Sequence, residues 1–242
     1  MASREIKKVL VVKLSAMGDF ILALAAAKKI RQAHPKAQIT LLTTPPFEGL
    51  AKLCPYFNAV ETDGRPEGIG EWLALVGRLR KARYDRVYDL QTSSRSSMIF
   101  YGLWPFAPEW SGIATGCALP HRNPRRDQMH TLERHADQLR AAGIWPDAPT
   151  EPGSAPGPDV SWILRKVEAP RPVAGGIEAR PYVLMAPGGS AHRLEKRWPI
   201  ESYARLAREL YDGGFDIVVV GGPQESALAR TIKTGLSAAY YG

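Results

Sequence analysis

Two stretches of this chain carry residue types able to do chemistry on an anionic or hydroxylated ligand. The first is Lys8-Val9-Leu10-Val11-Val12-Lys13-Leu14-Ser15-Ala16-Met17-Gly18-Asp19-Phe20. It reads as a buried strand, a small-residue turn and the start of a helix. In an open α/β sheet, ligands bind beyond the carboxyl ends of the strands, so Asp19 stands at the mouth of a site. The residues leave two roles open: a carboxylate that takes a proton, or a cap for the helix behind it. The second stretch is Ala186-Pro187-Gly188-Gly189-Ser190-Ala191-His192-Arg193-Leu194-Glu195-Lys196-Arg197. Its glycines allow backbone N–H groups close to a phosphate, Ser190 adds a hydroxyl, and Lys196 and Arg197 can neutralise a pyrophosphate. Glu225, behind Gly221-Gly222-Pro223, can accept from ribose hydroxyls or complement a helix dipole.

The elements that must hold these residues alternate. Helical spacing predicts a helix over 20–33, stopped by His34-Pro35, then a strand over 38–43. A short helix near 47–53, a strand over 58–62, an amphipathic helix over 70–81, a strand over 85–90 and a helix over 93–103 follow. Strands separated by helices imply right-handed crossovers and a parallel sheet. Residues 112–126 read as a basic, turn-rich passage and 128–142 as a helix. The segment 146–159 has the composition of a loop, 162–167 that of one or two helical turns, and 169–181 is again rich in Pro and Gly. The expected division is therefore a domain over 1–145, a linker over 146–181, and a partial domain over 182–242. In the last, strands at 182–185 and 215–220 alternate with helices opening at Pro199 and over 224–233.

The 242 residues bear a formal charge of +8. The basic clusters at 78–86, 121–126 and 193–197 point to an anionic partner. Interleaved aromatics and recognised nucleic-acid modules are missing from the sequence, which argues against a nucleic-acid partner. Neither Gly-x-Gly-x-x-Gly, nor a P-loop, nor Gly-x-Ser-x-Gly occurs. His130 and His135 are not at the spacing of a helical zinc pair, and Cys54 and Cys117 make no framework, so neither metal nor other cofactor is expected. Val9–Val12 is too short for a signal-peptide core and Lys13 interrupts it, which makes the cytoplasm the expected location.

The stretch 11–19 resembles the N-terminal motif of the bacterial lipopolysaccharide heptosyltransferases, glycosyltransferase family 9. Four further segments agree in order: Tyr84–Gln91 with Arg95-Ser96, His130-Thr131-Leu132-Glu133-Arg134, Ala186–Ser190 through Lys196–Pro199, and Gly221–Glu225. The resemblance implies an α/β, GT-B-like architecture, with an N-terminal Rossmann-like parallel-sheet domain and an incomplete second Rossmann-like domain across a cleft. It implies an inverting, metal-independent transferase that uses an ADP-sugar and a phosphorylated, lipid-linked sugar acceptor at the cytoplasmic face of the inner membrane. Asp19 matches the family's base, and Lys13, Ser15 and Gly18 belong to the acceptor-side loop. Lys196 matches a donor-phosphate contact, Glu225 a ribose contact, and Gly188, Gly189 and Ser190 the phosphate loop. The family's later donor motif, Asp-Ser/Thr-Gly followed by His, does not occur before Gly242. That departure leaves a second expectation, a shortened, catalytically inactive α/β module that binds an anionic ligand.

Overall fold

The computed structural model describes residues 5–166, 181–189, 195, 197–234, 236 and 238–241. The chain divides into two compact units, Met1–Val167 and Glu168–Gly242.

The first unit is a six-stranded parallel sheet in the order β3-β2-β1-β4-β5-β6. Its central strands are β1 (Lys8–Val12) and β4 (Arg86–Asp89), flanked by β2 (Gln38–Leu42), β3 (Ala59–Glu61), β5 (Glu109–Gly112) and β6 (Leu119–Pro120). The chain leaves β1 toward β2 and β3, then crosses back to β4 and runs on to β5 and β6. The β1/β4 boundary is thus the switch point of the sheet.

Helices cover both faces, as apolar strands of a parallel sheet require. On one face α1 (Met17–Ala33), α2 (Glu48–Leu53), α5 (Thr131–Ala141) and α6 (Ser161–Lys166) enclose a core that includes Val9, Val11, Phe20, Leu24, Ile30, Tyr88 and Leu139. On the other, α3 (Ile69–Ala82) and α4 (Ser94–Leu103) pack Leu75, Leu79, Ile99, Phe100 and Leu103 against Leu10, Val12, Val87 and Trp110.

Three expectations need correction. The passage 112–126 was expected to be turns, yet β5 ends at Gly112 and β6 lies within it, paired in register with β5 at the edge of the sheet. Glu109–Gly112 carries a single large apolar side chain, Trp110, so its strand character comes from pairing with β4 rather than from its own pattern. The expected linker over 146–181 does not begin at 146: Ala148 and Trp162 are buried in the α1/α5 core, and Lys28 pairs with Asp159 at 2.9 Å. Prolines there shape a strap that stays on the first unit through 166. The third correction concerns the C-terminal unit.

That unit is a three-stranded parallel sheet, β7 (Tyr182–Met185), β8 (Asp216–Val220) and β9 (Ala238–Tyr241), in that order. The expectation was two strands; β9 adds a third. Helices α7 (Ile200–Asp212) and α8 (Ser226–Lys233) pack Ala207, Ala229 and Ile232 against Met185, Ile217 and Val219. Gly214, at φ +97, ends α7 in a conformation that L side chains rarely adopt.

Two histidines make the fold acid-sensitive, and one buried carboxyl offsets part of the effect. Burial holds the His135 imidazole down to about 3 and His34 down to about 4, so both stay neutral where an unfolded chain is protonated. Their contribution is present above pH 6.5 and lost on acidification. Burial pushes the Asp89 carboxyl up to about 6, which works the other way: the fold takes that proton first and gains stability as pH falls. With half-buried His34 counted at half weight for solvent screening, the balance is a loss of roughly 2 kcal/mol between pH 7 and pH 5. A fall in the urea midpoint over that range, with unchanged m-value, is the expected measurement.

Candidate active site

The carboxyl ends of β1 and β4 carry the polar centre of the first unit. The loop after β1 is fixed from both sides. Gln91 Oε1, just past β4, accepts from the amides of Leu14 (2.9 Å) and Ser15 (3.2 Å). Thr44 Oγ1, just past β2, donates to Leu14 O at 3.1 Å. Arg65 contacts the Ser15 hydroxyl. Three successive strand ends therefore hold one loop, and α1 begins from it at a set angle.

Asp19 lies in the first turn of α1. It is not a cap: the N-cap position is Ala16, without a side-chain hydrogen bond. Instead Asp19 Oδ1 accepts from Thr131 Oγ1 at 3.0 Å, and Thr131 Oγ1 in turn accepts from Arg134 Nη2 at 3.4 Å. Thr131 opens α5, so the carboxylate is gripped between the first turns of two packed helices. Gly18 is exposed beside it, with open space where a Cβ would stand.

Lys13 supports this centre from below. Its side chain is buried, with Nζ 3.4 Å from the carbonyl of Leu90. Burial brings its ammonium down to about 8, Arg134 pushes in the same direction, and the charges of Asp19 and Asp89 resist. His135 Nε2 also reaches Leu90 O, at 3.1 Å, which fixes that nitrogen as the N–H donor. Asp89 Oδ1 accepts from the amides of Gln91 (3.1 Å) and Thr92 (2.9 Å). The Ser96 hydroxyl near it gives its hydrogen to Ser93 O, and Asp89 Oδ2 is left without a hydrogen-bond partner. The surface of this centre is a half-buried carboxylate on neutral and cationic supports, an arrangement suited to taking a proton from a bound hydroxyl.

The second unit holds the other candidate residues. The Glu225 carboxylate accepts from the Gly222 amide at 2.9 Å and lies over Gly188. A Cβ on Gly188 would stand 2.8 Å from Glu225 Cγ and 3.0 Å from Oε1, and one on Gly221 would stand 2.8 Å from Glu225 Cβ. Both glycines are needed for that approach. Arg197 donates to the Gly189 carbonyl. The loop after β7 and the turn after β8 thus meet at their carboxyl ends, where a Rossmann-like sheet takes its ligand. Ser190 and Lys196 lie outside the described residues. Among the described residues, no three His, Cys, Asp or Glu side chains gather into a metal-binding group.

Residues 72–242 match the family described as glycosyltransferase family 9 (heptosyltransferase). The chain belongs to that family. Its curated relatives include lipopolysaccharide heptosyltransferase 2 of Escherichia coli K12, 26% identical over 253 residues, and lipooligosaccharide heptosyltransferase 2 of Haemophilus ducreyi, 24% identical over 238. Each alignment covers 95% of this chain and 68% of the relative. Among solved structures, E. coli ADP-heptose LPS heptosyltransferase II is similar with a TM-score of 0.71 at 22% identity, covering 96% of this chain and 72% of that one. E. coli heptosyltransferase WaaC, solved with ADP-2-deoxy-2-fluoro heptose, gives 0.65 at 20% identity, over 97% and 76%. The fold is that of these GT-B heptosyltransferases, and the protein is a glycosyltransferase of the heptosyltransferase type.

Family membership leaves the partners of Asp19 to the structure. Thr131 and Arg134 fell in a segment that resembles a family motif but carried no assigned role, and His135 and Gln138 did not stand out as site residues in the sequence. A signal was there: Thr131, His135 and Gln138 recur at i, i+4, i+7, a polar stripe on the helix face turned toward the sheet.

Proposed function

We propose that this glycosyltransferase moves a heptose from ADP-heptose to a lipopolysaccharide core acceptor, with inversion at the anomeric carbon and Asp19 as base. The observation that carries this reading is the Thr131–Asp19 bond at the switch point, above buried Lys13. The acceptor hydroxyl gives its proton to the Asp19 carboxylate as its oxygen attacks the anomeric carbon. The bond from that carbon to the diphosphate breaks, and the electron pair leaves with ADP. Lys13, Ser15 and Gly18 shape the acceptor-side loop, with Ser15 and Arg65 offering donors to an anionic acceptor.

The donor half of the reading rests on Gly188, Gly189 and Glu225, with Ser190 and Lys196 assigned by family resemblance alone. Backbone amides of the glycine loop would meet the diphosphate, Lys196 its developing charge, and Glu225 the ribose hydroxyls. No cofactor takes part in the proposed scheme. The remaining proposals are the domain roles, acceptor side in residues 1–145 and donor side in 182–242, and a place on the cytoplasmic face of the inner membrane. Relatives named as lipopolysaccharide heptosyltransferases support the sugar and the acceptor class.

Donor binding tests the second unit directly. Glu225→Ala should weaken ADP-heptose binding by about tenfold, the loss of one or two hydrogen bonds to a charged acceptor, when read by calorimetry. Unchanged affinity would remove Glu225 from the donor site.

A further inference from the structure

The outer surface of the α3–α4 layer has no place in the chemistry above. Helices packed on a sheet normally bury one apolar stripe and show a polar face to water. These two also show large apolar side chains to water. Beyond the buried stripe, Ile69 and Leu73 of α3 stand 80% and 64% exposed, and Met98 and Tyr101 of α4 stand at 55% and 45%. Trp104 and Phe106, directly after α4, are 60% and 87% exposed. Met98 and Tyr101 lie three residues apart on α4, and Trp104 follows at the same interval just past its end.

The two helices form one continuous surface. Gly102 allows the contact: a Cβ there would stand 2.8 Å from Val76 Cγ2 and 3.1 Å from Trp72 Cζ2. Arg80 crosses from α3 and donates to the carbonyls of Gly102 (2.8 Å) and Trp104 (3.2 Å). It pins the end of α4 and sets a guanidinium beside the exposed aromatics. Arg80 and Arg83 share a surface hollow with Pro105 and Phe106. Lys81 adds another exposed cation at the same end of α3.

Exposed aromatics edged by cations are what an interfacial membrane contact requires. Trp, Phe and Tyr enter the headgroup boundary while Arg and Lys meet anionic lipid. Exposed large apolar side chains grouped on two packed helices mark an interaction site, and the cations beside them select a negatively charged partner. We propose that the outer face of α3 and α4, led by Trp104 and Phe106, docks this protein on an anionic phospholipid surface. The inference rests on the reading that the acceptor is lipid-linked, and it names the surface by which the protein would reach it.

Co-sedimentation of the whole chain with phosphatidylcholine vesicles, with and without phosphatidylglycerol, tests it. The protein should bind the vesicles containing phosphatidylglycerol and be released by salt. Trp104→Ser combined with Phe106→Ser should cut binding at least roughly tenfold, because apolar burial supplies the anchoring. Lys81→Glu combined with Arg83→Asn should remove the preference for phosphatidylglycerol; Asn tolerates the left-handed backbone at position 83, where φ is 52. No binding to either vesicle overturns the proposal, as does binding that the Trp104/Phe106 pair leaves unchanged. A lipid-free dimer that dissociates on the same double substitution also overturns it, since a second copy would then cover the face. Transfer to a water-soluble acceptor, measured beside sedimentation, keeps the two readings apart. Vesicle binding without transfer counts against the proposed function alone, and transfer without vesicle binding counts against the docking surface alone.

Discussion

Asp19→Asn should lower heptosyl transfer on the order of a thousandfold while ADP-heptose affinity stays unchanged, because general-base catalysis contributes about 10²–10⁴. The amide keeps the shape and can still accept from Thr131, so the substitution removes proton affinity and little else. Thr131→Val is its companion. Thr131 Oγ1 bonds Asp19 Oδ1 and receives Arg134 Nη2, so its loss frees the carboxylate to rotate without removing it. Turnover should fall by roughly one order of magnitude with the KM for donor unchanged, the mark of a positioning residue. Equal activity of Asp19→Asn and wild type would remove Asp19 from the chemistry.

Gln138→Leu should cost about 3 kcal/mol of stability, because it strands several buried acceptors at once. Gln138 Nε2 reaches Asp89 O at 3.0 Å, Ser111 O at 3.2 Å and Ser111 Oγ at 3.3 Å, all among fully buried residues. The amide bridges the ends of β4 and β5 from α5, the same helix that presents Thr131. Denaturant unfolding reads the loss, and the expected drop lies well above the effect of an ordinary surface change. The substitution should also lower transfer at temperatures where the fold survives, since α5 holds Thr131 against Asp19. A loss below about 0.5 kcal/mol would mean that these acceptors find other partners.

The alternating elements of the first unit were legible wherever a strand was its own apolar run. Lys8–Val12 and Gln38–Leu42 announce themselves by Val, Ile and Leu, and His34-Pro35 stops the helix between them. Glu109–Gly112 and Leu119–Pro120 did not, because their pairing partners decide them more than their composition. The strap through 166 was hidden by its prolines, which describe local backbone stiffness and say nothing of what Trp162 packs against.

The site divides in the same way. A strand, a small-residue turn and a helix marked Asp19 as a residue at a strand's carboxyl end. Whether it capped the helix or faced a ligand depended on Thr131, which is 112 positions away and reaches it only because α1 packs on α5. The pairing of Glu225 with Gly188 was equally silent in the sequence. Glycines at 188 and 221 signalled a close approach, but the side chain that makes it became visible only in the folded unit.

The reaction product distinguishes transfer by Asp19 from binding alone. The purified protein is incubated with ADP-heptose and a lipopolysaccharide core acceptor, and the acceptor is examined by mass spectrometry and NMR. The expected product is the acceptor with one added heptosyl unit, joined with anomeric configuration opposite to that of the donor, and ADP released in equal amount. Bound ADP-heptose that is neither consumed nor transferred would contradict the proposed transfer, and would make the chain an anion-binding module of a transferase fold.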